Sequence, residues 1–269
     1  MTLNANSSPL VKLLTLLGVC LVCVIFSSVL LGVLLQTGID KAVELGFTTV
    51  LCFGTSALVY QRIFEGKFFN KALFSFKTKA YWYPLALILF LITIPIASYF
   101  ENPESDELLL KLFHDVSNLR LILFVFTMAF IPAVFEEWVF RGILQKNVIA
   151  LCKNDYLGIV ISAALFSLAH FDLSNFVSRF ILGLLLGLLF YYSKSIWVNI
   201  TVHFLNNLSA ILLLTAEDRG LTEADGDLLF DKFVYIIPFI FMFLTFVVLA
   251  HRNKILTERK EYLKSKENY

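Results

Sequence analysis

Charge is what this chain has least of. Asp, Glu, Lys and Arg make up 16% of its 269 residues, where an average soluble domain has about 25%. Apolar residues fill 58% of it and the mean hydropathy is +0.79, which places the chain among integral membrane proteins. The net charge is +1 and no basic stripe is present, so nothing in it suits nucleic acid. Cysteine is scarce: Cys20, Cys23, Cys52 and Cys152 fit no metal-ligand spacing and read as small hydrophobes. The zinc-protease helix signature H-E-x-x-H is absent. So is a Gly-x-Ser-x-Gly elbow, since the nearest stretch, Gly54-Thr55-Ser56-Ala57, lacks the second glycine. There is no internal repeat and no separate soluble domain.

What remains is a series of apolar runs. Leu13 to Leu35 has 23 residues without a charge, enough to span a bilayer and too long for a signal-peptide core. Further helices are expected at Val43–Tyr60, Tyr83–Tyr99, from Leu119 onward, Tyr156–His170, Phe176–Tyr192, Ile196–Leu214 and Phe233–Ala250. The fold class is therefore all-α, a polytopic bundle of about eight helices with an active-site cavity inside it. Residues 1–269 form one membrane domain. A basic linker, 62–79, lies at the membrane surface, and two acidic loops, 102–115 and 217–227, separate spans. The first holds a short amphipathic piece around Leu108–Phe113, and Asp225-Gly226-Asp227 in the second lacks the further ligands calcium needs. With the N-terminus inside, 16 of the 22 Lys and Arg fall on the inner side and both acidic loops outside, so both termini are expected to be cytoplasmic.

Against that background the segment Phe135–Leu144, FEEWVFRGIL, stands out. Ionisable groups at membrane depth are costly and face a protein interior or a watery cavity. Glu137 and Arg141, at i and i+4, share a helix face and can pair. Glu136 lies about 100° round the helix and cannot share that pairing equally, so it is left for chemistry. Pro132, four residues earlier, removes a backbone hydrogen bond and is expected to kink the helix. Two other helices carry polar groups at similar depth: Phe166-x-x-x-His170 and His203-x-x-x-Asn207. Gly183 and Gly187, four apart in the sixth helix, allow a close helix contact.

Glu, two His and Asn together form the inventory of an amide hydrolase. A buried glutamate can take a proton from water, a histidine can orient that water, and a His/Asn pair can donate to a developing oxyanion. The same Glu136, His170 and His203 could instead hold a divalent metal such as zinc.

Glu136-Glu137-x-x-x-Arg141, Phe166-x-x-x-His170 and His203-x-x-x-Asn207, in this order on three helices, resemble the three motifs of the CAAX-protease and bacteriocin-processing (CPBP, Abi) intramembrane proteases. The resemblance covers residues 119–214. It implies that Glu136 is the catalytic base with His170 its partner, that His203 and Asn207 stabilise the oxyanion, and that Glu137 and Arg141 are mainly structural. No cofactor is expected, because Asn207 is a natural oxyanion donor and a poor zinc ligand. It further implies a membrane-associated protein or peptide substrate, of CAAX or bacteriocin-leader type, and a bacterial cell membrane as the location. Two other readings stay open: a non-catalytic immunity or scaffold protein, and a proton-coupled transporter, which usually shows repeats and broken helices.

Overall fold

The computed structural model describes residues 7–34, 38, 40–100 and 111–220. Among them the chain is helical and contains no strand. Six helices among the described residues are long and apolar enough to cross a membrane. They are α1 (Pro9–Leu34), α2 (Lys41–Phe64), α3 (Trp82–Tyr99), α4 (Asn118–Cys152), α6 (Phe176–Ser193) and α7 (Ile196–Asp218). The 14-residue α5 (Asp155–Leu168) lies between α4 and α6 and is shorter than a full span. The expected eighth helix, 233–250, and the second acidic loop from residue 221 lie outside the described residues.

The bundle is arranged for lipid on the outside. Side chains such as Leu14, Val22 and Val29 of α1 and Ile122 of α4 are exposed, while the buried charges cluster in the interior. With no water in the bilayer core, helices satisfy their own backbone groups and polar side chains turn inward. Helix α4 is the central element. It packs against α2 on one side and α7 on the other, and its last turns lie against α1 and α5, while α3 and α5 both pack on α6. Its buried residues Trp138, Val139, Phe140, Ile143 and Leu144 join Tyr60, Phe64, Phe166 and Ile200 in the main core.

Pro132 does not end α4. The turn before it, Val125–Phe130, widens to the π pattern, with the Ile131 N–H donating to Phe126 O, and the helix carries on. A second widened turn, Phe140–Leu144, holds Arg141. Such turns absorb one extra residue and are frequent at functional sites. The glycine pair of α6 does bring helices close, and the neighbour is α5. A Cβ on Gly183 would meet Ala163 Cα at 3.2 Å, and one on Gly187 would meet Ile159 Cγ2 at 2.9 Å.

One boundary differs from expectation. Helix α5 stops at Leu168, so His170 sits in the following turn, where Phe171 has a φ of 54°. The 62–79 linker folds back on the bundle through its aromatic side chains. Phe69 and Phe74 pack on Trp138, Phe76 stacks on Trp197, and Trp197 Nε1 donates to Phe74 O. Of the first acidic loop, 111–113 is helical and Phe113 is buried against Phe124.

Candidate active site

The i, i+4 spacing of Glu137 and Arg141 produces the pair it promised. Arg141 Nη1 donates to Glu137 Oε1 at 2.6 Å, with Glu137 0% and Arg141 2% exposed. Charges so deep need further partners, because removal from water costs several kcal/mol per ion. Glu137 has two more. His203 Nδ1 lies 2.8 Å from Oε1 and Asn199 Nδ2 donates to Oε2 at 3.1 Å, both from α7. Arg141 uses its other nitrogen on α6, donating from Nη2 to Gly183 O at 3.1 Å, and its guanidinium centre lies 4.5 Å from the Phe166 ring centroid. One turn on, Gln145 Nε2 repeats the contact on Gly187 O at 3.0 Å. Glu137 and Arg141 therefore tie α4 to α6 and α7 through one buried network.

Glu136 is treated differently. It is 8% exposed, its Oε2 is buried, and that atom has no hydrogen-bond partner among the described residues. The nearest cation-capable group is His203 Nε2, at 3.8 Å. Because the Glu137 carboxylate can only accept, His203 Nδ1 carries a proton and Nε2 is the nitrogen turned to Glu136. The imidazole thus stands between the two carboxylates, bonded to one and facing the other.

His170 is exposed, one turn past Phe166. Its Nδ1 lies 2.9 Å from Phe166 O, and since a carbonyl only accepts, Nδ1 carries the hydrogen and the Nε2 lone pair is left over. No hydrogen bond or ion pair joins its ring nitrogens to the Glu136 carboxylate among the described residues; what it shares with the rest of the site is Phe166. That ring, 1% exposed, packs edge-on to His170 at 5.1 Å and to His203 at 5.8 Å. Phe166 is thus the spacer between the two histidines. The turn carrying His170 is stapled by Asp172, which accepts from Ser174, Asn175 and Arg179. The Ser174 hydroxyl foremost, then Arg179 and Asn175, holds the Asp172 carboxyl well below the usual carboxylate range. Its folded-state pKa is depressed, so the staple persists through mildly acid pH and is lost only as pH falls through that lowered value.

Asn207 is half-buried one turn beyond His203 on α7, and its Oδ1 accepts from Asn206 Nδ2 at 3.3 Å. That leaves the Asn207 Nδ2 hydrogens as donors. Among the described residues no three His, Cys, Asp or Glu side chains lie together closely enough to hold a metal ion. Glu136, His170 and His203 are therefore not gathered as a ligand set in this arrangement.

Residues 118–209 match the model of the Rce1-like type II CAAX prenyl endopeptidases. That stretch runs from the start of α4 to just past Asn207 and includes all three motifs. The resemblance to the CPBP proteases drawn from those motifs is borne out over it, and the family it points to is one of hydrolases that cut proteins. No curated protein and no solved structure matches the chain.

The structure brings Glu136, Glu137, Arg141 and His203 into one contact network; His170 reaches it through Phe166, and Asn207 touches Asn206 one turn beyond His203. A cavity of about 560 Å³ lined by Gln145, Lys146, Phe190, Tyr191 and Lys194 lies further along α4, and none of the six candidate residues lines it. Two members of the network were not singled out from the sequence: Asn199 and the carbonyl of Gly183. Asn199 had a signal, since it stands four residues before His203 on the same face of α7. The carbonyl had none.

Proposed function

We propose that this chain is an intramembrane endopeptidase in which Glu136 activates water against a peptide bond of a membrane-associated protein or peptide. The observation that carries the reading is the contrast between adjacent carboxylates. Glu137 is saturated by three side-chain donors, whereas Glu136 holds a buried oxygen without a hydrogen-bond partner among the described residues, 3.8 Å from His203. An unpaired polar atom at that depth is expensive to keep and marks a place where substrate or water is received. The match of residues 118–209 to a CAAX endopeptidase family supports the same reaction class.

In this mechanism Glu136 accepts one proton of a water and the His170 Nε2 lone pair accepts a hydrogen bond from the other. The hydroxide formed attacks the scissile carbonyl. The oxyanion that develops receives donors from Asn207 Nδ2 and His203 Nε2. With Nδ1–H already given to Glu137, His203 can donate from Nε2 only as the imidazolium, a cation whose charge the two neighbouring carboxylates balance. As the tetrahedral species collapses, the proton held by Glu136 passes to the departing amine and the base is regenerated. Glu137 and Arg141 fix the imidazole rather than react.

The decisive assay is turnover of a quenched-fluorescent peptide library, with CAAX-type and leader-type sequences, by the purified chain in detergent or lipid. Sequence-dependent cleavage supports the reading; no cleavage of any member contradicts it. Asn207→Ala should slow kcat by about 100-fold or more, as removal of one oxyanion donor does. KM should change little, since the donor acts on the transition state. Chelators should leave the rate unchanged; stoichiometric zinc together with a fully active Asn207→Ala variant would overturn the assignment.

The charge distribution further supports an orientation with both termini and the 62–79 linker on the cytoplasmic side. Reporter fusions after residue 269 and within 62–79 should read cytoplasmic, and insertions at 101–107 external. An external C-terminus would refute that orientation.

A further inference from the structure

Glu137 holds the site's imidazole, so whatever fixes Glu137 fixes His203. The Arg141 and His203 contacts both fall on Oε1, at 2.6 and 2.8 Å. Oε2 receives Asn199. Asn199 is 0% exposed, on the same face of α7 as His203, and its single amide nitrogen serves two acceptors: Leu186 O on α6 at 2.6 Å and Glu137 Oε2 on α4 at 3.1 Å. Both neighbours can only accept, which dictates that the NH₂ end of the amide faces them. The consequence is that Asn199 Oδ1 is buried with no hydrogen-bond partner among the described residues. An apolar residue of similar size would bury no such orphan, so the amide is kept for what its nitrogen does.

We infer that Asn199 is a positioning residue of the hydrolytic site: by donating to Glu137 Oε2 while anchored on Leu186 O, it locks the plane of the Glu137 carboxylate and thereby aims His203 Nε2 at Glu136. Held at Oε1 alone, the carboxylate could rotate about its last torsion and carry the imidazole with it. With Oε2 pinned by an Asn199 amide that is itself anchored on α6, it cannot. The inference rests on the proposed hydrolytic reading for its kinetic part and on geometry alone for its spectroscopic part.

Gln145 supplies the comparison. It is equally buried at 2% exposure and makes the same kind of contact between helices, Nε2 to Gly187 O, without touching Glu137. Asn199→Leu keeps the bulk of the side chain and removes the donor; Gln145→Ala removes a helix tie only. Each variant is assayed as the full-length protein with a cleaved library peptide, and the His203 Nδ1 proton is followed by NMR of ¹⁵N-histidine-labelled protein. His203→Gln identifies its signal among the four histidines. Asn199→Leu should lower kcat by about 10- to 100-fold with KM within about twofold, the scale for misaiming a catalytic group. It should also displace or broaden the His203 proton signal. Gln145→Ala should lower the melting temperature yet keep the wild-type kcat and the signal. Should Asn199→Leu not survive extraction, Asn199→Ala reads the same way. A wild-type kcat in the Asn199 variants, an equal kcat loss in Gln145→Ala, or an unmoved His203 signal would overturn the inference. If the wild-type protein cleaves nothing, the hydrolytic reading falls, and the His203 signal alone decides whether Asn199 positions the imidazole.

Discussion

Glu136→Gln should extract, purify and melt as the wild-type protein does, and hydrolyse peptides slower by about 10²–10⁴-fold, the usual contribution of a general base. The two effects separate because of where Glu136 sits. Its Oε2 makes no hydrogen bond among the described residues and its charge contact with His203 Nε2 is 3.8 Å long, so turning the carboxylate into an amide removes little that holds helices together. It also relieves the burial of a charge. Loss of activity at unchanged stability is the signature of a group kept for chemistry at the expense of packing. Initial rates on a cleaved library peptide, alongside thermal melting in the same detergent, read both halves. A Glu136→Gln enzyme that turns over at the wild-type rate would remove the base from the mechanism.

Glu137→Gln should behave in the opposite sense on stability. It strips the countercharge from Arg141, which is 2% exposed and has no other carboxylate within ion-pair distance among the described residues. Breaking a buried pair by removing one partner costs about 3–5 kcal/mol, because the surviving charge stays buried. Three helices lose a shared anchor at once: α4 itself, α7 through Asn199 and His203, and α6 through Arg141 and Gly183 O. The expected result is a marked fall in melting temperature and in extractable yield, with activity lost as a consequence. A Glu137→Gln protein as stable as wild type would contradict the network described for it.

Much of this site was legible in the sequence, because the relevant spacings are properties of a helix. Glu137 and Arg141 had to share a face, and Glu136 had to be turned from it. Depth along each helix was also legible. The rise per residue placed Glu136 and His203 at comparable levels, and the 3.8 Å between their side chains agrees with that. Contacts made to backbone atoms of another helix were not legible. Gly183 O and Leu186 O are acceptors only because α6 presents those turns to α4 and α7, and periodicity within one helix says nothing about its neighbour's rotation. The end of α5 was missed for a related reason. An apolar pattern running to His170 does not reveal that Phe171 adopts a positive φ or that Asp172 closes the next turn with Ser174, Asn175 and Arg179. The widened turns at Val125–Phe130 and Phe140–Leu144 likewise leave no trace in residue type.

The central claim is that Glu136 delivers water directly to the peptide carbonyl, and a single-turnover cleavage in H₂¹⁸O tests it most directly. With enzyme in excess over one cleavable peptide, the account predicts an ¹⁸O atom in the newly formed carboxyl terminus during the first turnover, and none in the protein. First-turnover product without the label, with ¹⁸O recovered in the Glu136 side chain instead, would show that the carboxylate attacks the carbonyl itself and would contradict the account.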